Sequence, residues 1–78
     1  MNVAVFSKPN CPYSDKVKKI FKFTKISHAV YNLDEHFNRG AFVSEFGEGS
    51  TFPQVVVDGK KIGGCIDTVK YLKEKNIV

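Results

Sequence analysis

Residues 2–7, Asn-Val-Ala-Val-Phe-Ser, form a short run of strand-forming residues with little polar alternation, which predicts a central strand covered on both faces. Lys8-Pro9-Asn10 breaks that run. From Pro12 onward, Val17, Ile20, Phe21 and Thr24 recur at helical spacing with lysines between them, predicting an amphipathic helix to about Lys25. Pro12 suits the first helical position, where its missing N–H costs nothing. His28 to Leu33 reads as a second strand, parallel to the first because a helical crossover joins them. Asp34 is placed to cap a second helix of about three turns carrying Phe37, Ala41, Phe42 and Phe46, weakened by Gly40 and ended by Gly47-Glu48-Gly49. Gln54 to Val57, Asp58-Gly59 and Lys61 to Gly63 have the pattern of a hairpin, since Asp-Gly supplies the positive φ angles of a tight primed turn. After Gly63-Gly64, the residues Ile66, Val69 and Leu72 mark a closing helix to about Lys75. The predicted class is α/β, in the order β-α-β-α-β-β-α, with a parallel pair and an antiparallel hairpin in one four-stranded mixed sheet flanked by helices.

At 78 residues the expectation is one domain over 1–78, near the size at which only about 60% of the unfolded surface can be buried. Hydrophobic residues are 42% of the chain and seven are Phe, enough for a packed core without a disulfide scaffold or structural metal. Two cysteines, Cys11 and Cys65, cannot build the framework of a small secreted domain. Met1 to Ser7 is too short and too little flanked by charge to act as a leader, and no apolar run is long enough to span a membrane. The expected setting is therefore reducing and cytoplasmic, with no membrane partner. The net charge of +4 rests on Lys16, Lys18, Lys19, Lys22 and Lys25, and later on Lys60, Lys61, Lys70, Lys73 and Lys75. Arg39 is the only arginine and no recognition motif accompanies the lysines, so a solvated helix face is favoured over nucleic acid. Positive potential that steers an anionic small molecule or acidic partner is a third reading. His28 and His36 offer no metal-ligand spacing with either cysteine, and no metal is expected.

Cys11 carries the most chemical content. It precedes the first helix, where unpaired N–H groups and a macrodipole of about +0.5 charge favour a thiolate, and Lys8 adds a cation three residues away. Such settings lower a cysteine pKa from about 8.5 into the range of roughly 3.5 to 7.5. The alternative, a buried inert Cys, is disfavoured because Pro12 and the lysines place Cys11 at an element end. Ser14, three residues on, shares its side of the helix start. In a Cys-x-x-Cys motif that position holds the resolving thiol, and a hydroxyl cannot resolve. Either the chemistry runs through one thiol, or a second cysteine has been replaced by Ser14.

Three stretches, Lys8-Pro9-Asn10-Cys11-Pro12-Tyr13-Ser14, Thr51-Phe52-Pro53-Gln54 and Gly63-Gly64-Cys65-Ile66-Asp67, in this order and on these elements, make the whole chain resemble the glutaredoxins of the thioredoxin superfamily. The resemblance implies a thioredoxin-like fold, glutathione as cosubstrate and Cys11 as the catalytic nucleophile. It places Lys8 near the thiolate and the glycine carboxylate of glutathione, and Tyr13 beside the bound thiol. It makes Pro53 cis, with the Phe52 backbone pairing with the cysteine moiety of glutathione like an added strand, and adds Thr51 to that subsite. Gly64, Cys65, Ile66 and Asp67 would receive the γ-glutamyl end at the start of the last helix, Asp67 facing its ammonium.

The departures are specific. Dithiol glutaredoxins have Cys where Ser14 stands, while the usual monothiol class has Cys-Gly-Phe-Ser, an inserted loop and a Trp-Pro pair that are absent here. Phe52 replaces a more common Val and is read as tolerated, because the backbone makes the contact. Arg39 is read as a solvated side chain in preference to one that reaches the glycine carboxylate, and Cys65 as a helix-start residue in preference to a resolving thiol. The function expected is reduction of glutathione mixed disulfides through Cys11 by a monomer. It would extend to protein disulfides, such as that of ribonucleotide reductase, if position 14 is Cys in the parent. The alternative is a dimer holding a [2Fe-2S] cluster between two Cys11 thiolates and two glutathiones.

Overall fold

The computed structural model describes residues 1–78. The elements run β1 (Val3–Ser7), α1 (Pro12–Phe23), β2 (His28–Asn32), α2 (Arg39–Phe46), β3 (Gln54–Val57), β4 (Lys60–Gly63) and α3 (Cys65–Glu74). The sheet order is β2-β1-β3-β4. β1 pairs parallel with β2, Val5 opposite Val30, and antiparallel with β3, Val5 opposite Val55. β3 and β4 form the expected hairpin, turning at Asp58 (φ 50) and Gly59 (φ 81), so both central residues take the left-handed angles a primed turn needs. Asn2 locks this turn to the chain start: its N–H donates to Asp58 Oδ1 at 2.7 Å, and its carbonyl accepts from the Asp58 N–H at 2.8 Å.

Strand alternation separates two clusters, one on each face of the sheet. Val3, Val5, Val55 and Val57 meet Val17 and Phe21 of α1 and Cys65 and Leu72 of α3. Cys11, Phe42 and Phe52 form the other, walled by Phe6, Leu33, Phe37 and Phe46. No helix is long and apolar enough to cross a membrane.

Both long helices end in the same way without a glycine. After the C-cap Thr24, Lys25 takes φ 57, and the Ile26 N–H returns to the Phe21 carbonyl at 3.1 Å. After the C-cap Lys75, Asn76 takes φ 59, and Ile77 N–H returns to the Leu72 carbonyl at 2.9 Å. These are Schellman closures in which Ile26 and Ile77 fold back onto the aliphatic cluster that buries Phe21 and Leu72. The first helix therefore stops at Phe23, just short of the expected Lys25.

The second helix corrects the sequence reading most. Asp34 does not cap it; Asp34 sits at φ 65 in a turn, its N–H donating to the Phe37 carbonyl at 2.6 Å. Leu33 and Phe37 form an isolated parallel bridge, which keeps Phe37 extended and outside the helix. The cap is Asn38, whose side chain accepts from the Ala41 N–H at 2.8 Å. The helix has eight residues, about two turns where three were expected.

Candidate active site

Cys11 is the N-cap of α1, reached through a turn in which Asn10 adopts φ 58. Its carbonyl accepts from the Asp15 N–H at 3.1 Å, while its sulfur faces the next turn. As a thiol it makes no capping bond and donates weakly to the Phe52 carbonyl, with sulfur and oxygen 3.9 Å apart. Phe52 precedes Pro53 through a cis peptide bond, as the resemblance implies.

Burial pushes the Cys11 thiol up. The Ser14 hydroxyl, the Ser14 and Tyr13 backbone N–H groups and the charge of Lys8 together outweigh burial and hold it below its ordinary value. These N–H groups belong to the second and third residues of the helix, which an N-cap oxygen normally satisfies. A Cys11 thiolate takes that place. Ser14 is fully buried and its Oγ has no hydrogen-bond partner in the thiol state. Such a group is uncommon in a folded protein, and here its use is to donate once the neighbouring sulfur ionises. Cys11 is thus both buried, at 6% exposure, and placed at a helix end; the two readings of the sequence are not exclusive.

A cavity of about 320 Å³ opens beside the cysteine, lined by Tyr13, Thr51, Phe52, Pro53, Gly64, Cys65, Ile66 and Asp67, with Gln54 and Gly63. It falls within the size range of small-molecule sites. All but three of the site positions inferred from the sequence meet there. The exceptions are Cys11, packed against Phe52, Ser14, buried in the first turn of α1, and Lys8, whose Nζ lies 5.6 Å from the centre of the Phe52 ring. Gly64 caps α3, and a Cβ there would stand 3.5 Å from the Pro53 carbonyl, an ordinary contact, so the helix start lies beside the cis-proline loop. Cys65 lines the cavity but is 8% exposed and belongs to the aliphatic cluster.

Gln54 and Gly63 stand in the stretches that carry the resemblance but were given no site role from the sequence. Gly63 carries a reason: its φ is 121, and a Cβ there would lie 2.5 Å from Asp67 Oδ2. The glycine doublet was the available signal. Arg39 is exposed, as read from the sequence, and its Cζ lies 6.0 Å from the Phe52 ring centre, a ring that Lys8 also approaches. No three His, Cys, Asp or Glu side chains gather at one place.

The glutaredoxin family model matches residues 3–62, which include the cysteine turn, the cis-proline loop and the hairpin. The chain belongs to the glutaredoxin family. It is 40% identical over 72 residues to a monothiol glutaredoxin, S10, of rice, covering 87% of this chain and 44% of that protein. With rice glutaredoxin-C6 the identity is 34% over 79 residues, covering 97% and 70%. The chain therefore spans less than half of the first of these glutaredoxins and about two thirds of the second. A buckwheat glutaredoxin–glutathione complex superposes with a TM-score of 0.80 at 29% identity, over 96% of this chain and 71% of that one. The fold is thioredoxin-like, as the sequence predicted.

Proposed function

We propose that this glutaredoxin is a glutathione-dependent thiol-disulfide oxidoreductase that works through Cys11 alone. The observation that carries the reading is the helix-start cysteine, its pKa lowered and its sulfur against the Phe52 carbonyl, at the wall of a groove of small-molecule size. A complex of a buckwheat relative with glutathione supports the ligand. The monothiol name of the rice relative supports the use of one thiol.

In the first step the Cys11 thiolate attacks the glutathione sulfur of a mixed disulfide. The S–S bond breaks, the substrate leaves as a thiolate that takes a proton from water, and Cys11 becomes glutathionylated. In the second, the thiolate of another glutathione attacks that adduct, releasing oxidised glutathione and restoring the Cys11 thiolate. The Phe52 backbone would pair with the bound cysteine moiety, and Tyr13 would flank the sulfur. The free N–H groups at the start of α3 suit the γ-glutamyl carboxylate, Asp67 its ammonium, and Lys8 with Arg39 the glycine carboxylate. Ser14 cannot resolve a protein mixed disulfide from within. Reduction of protein disulfides, such as that of ribonucleotide reductase, belongs to a dithiol form with Cys at this position.

Mass measurement after exposure to oxidised glutathione tests the reading. A single glutathione adduct mapped to Cys11 and absent from Cys11→Ser is expected. No adduct, or one confined to Cys65, overturns it.

A further inference from the structure

Phe52 contributes more than its backbone. Its side chain is 8% exposed and stacks on Phe42, with ring centres 4.1 Å apart and planes 16° apart, while Phe37 lies 6.2 Å away. The ring is therefore fixed by packing. Two cations come to it from different parts of the chain: Lys8 from the loop after β1, with Nζ at 5.6 Å, and Arg39 from the start of α2, with Cζ at 6.0 Å. Neither makes an ion pair. The ion pairs of the molecule are Lys18 with Asp15 and Lys61 with Glu45, both elsewhere.

Two like charges drawn to one ring repel, and exposed Lys and Arg side chains lose rotamer freedom when ordered. The negative face of a fixed aromatic ring offsets both costs. An aliphatic residue at this position would keep the backbone contact to Cys11 and lose that attraction.

We propose that the Phe52 ring is a positioning residue that gathers Lys8 and Arg39 into one anion-binding pair for the glycine carboxylate of glutathione. The proposal rests on the glutathione reading above. Phe52 acts on the substrate through the two cations, so removing its π face weakens binding of the carboxylate-bearing end relative to the rest of glutathione.

The test compares two mixed disulfides of one small thiol, the first with glutathione and the second with γ-glutamylcysteine, which lacks the glycine carboxylate. Phe52→Leu raises the KM of the first substrate relative to that of the second about three- to tenfold. Phe52→Tyr, which keeps the π face, restores the first KM. Arg39→Gln, at an exposed position, gives the same selective rise and serves if Phe52→Leu fails to fold. Equal rises for both substrates, or none, in either variant overturn the proposal and leave the glutathione reading standing. Failure of the unmodified protein to turn over the glutathione substrate overturns both.

Discussion

On one face of the sheet, Val5, Val17, Phe21, Val55 and Leu72 are wholly buried under α1 and α3. On the other, Phe6, Phe37, Phe42, Phe46 and Phe52 pack on one another under the short α2, with Phe6 also stacked on Tyr31 of β2, and Phe6, Phe37 and Phe46 are only partly buried. The first cluster is mainly aliphatic and closed. The second is aromatic, contains Cys11, and carries Lys8 and Arg39 at its margin. Aliphatic side chains interdigitate without polar handles, so the first face contributes mainly stability and touches the groove only through Cys65. Aromatic faces also attract cations, so the second couples packing to charge beside the reactive sulfur.

The sharpest way to break this contrast is to open a cavity on each face. Phe21→Ala is expected to cost about 3–5 kcal/mol, a large part of the stability of a domain this size. Molecules that remain folded should bind glutathione substrates normally. Phe42→Ala should cost less, because the cluster borders solvent and can relax, yet it removes the support of the Phe52 ring and should raise KM for the glutathione mixed disulfide several-fold. Urea unfolding and KM, measured on both variants under conditions where each is folded, decide the matter. If Phe21→Ala shifts KM as much as Phe42→Ala, the two faces are not functionally distinct.

A smaller effect is expected at Gly63, where backbone conformation and the groove meet. Gly63→Ala forces a side chain into φ 121 and toward Asp67 Oδ2, with an expected loss of about 1–2 kcal/mol. Displacing Asp67 also weakens the γ-glutamyl end, so KM should rise for both the glutathione and the γ-glutamylcysteine substrates. That pattern separates this end of the groove from the Phe52 end. An unchanged urea midpoint would show that Asp67 moves aside without cost.

The closed face was largely legible in the sequence, because valines at alternate strand positions and Val17, Phe21 and Leu72 at helical spacing give a periodic signal. The reactive cysteine was legible from its place before Pro12 and the first helix, whereas the cis-proline loop and the part the glycine doublet plays in the groove were legible only through the family they resemble. What escaped has local physical causes. Lys25 and Asn76 close helices in a conformation usually given to glycine, so the two ends fell within two residues of the expected ones but their closures carried no signal. Phe37 looks helical by spacing but is held extended by its bridge to Leu33, which moved the cap from Asp34 to Asn38. Phe52 was read as a tolerated substitution because a sequence does not show that Phe42, Lys8 and Arg39, distant along the chain, converge on one ring.

The smallest expected effect belongs to Ser14, which is fully buried between the helix and the site and has an unpartnered hydroxyl. An aliphatic core would gain by losing such a group, since an unsatisfied buried donor costs about 1–3 kcal/mol. The site gains by keeping it, because the Ser14 hydroxyl helps to hold the Cys11 thiol below its ordinary value. In Ser14→Ala the midpoint of Cys11 alkylation against pH should therefore move upward, and the acid limb of activity with it. Stability should respond in the opposite sense at the two ends of the pH range. A thiol whose folded pKa lies below its unfolded value adds stability that is fully present above the unfolded value and is lost as pH falls through the folded one. Below that window Cys11 is protonated in both states, and Ser14→Ala should be neutral or more stable by up to about 1 kcal/mol. Above it, the variant has a smaller pKa difference and gives up part of the linkage stabilisation. The difference in unfolding free energy between the two proteins should thus move against the variant as pH rises, and the slope should vanish when Cys11 is also replaced by Ser. An alkylation midpoint that stays in place in Ser14→Ala would mean that the backbone N–H groups and Lys8 stabilise the thiolate without the hydroxyl.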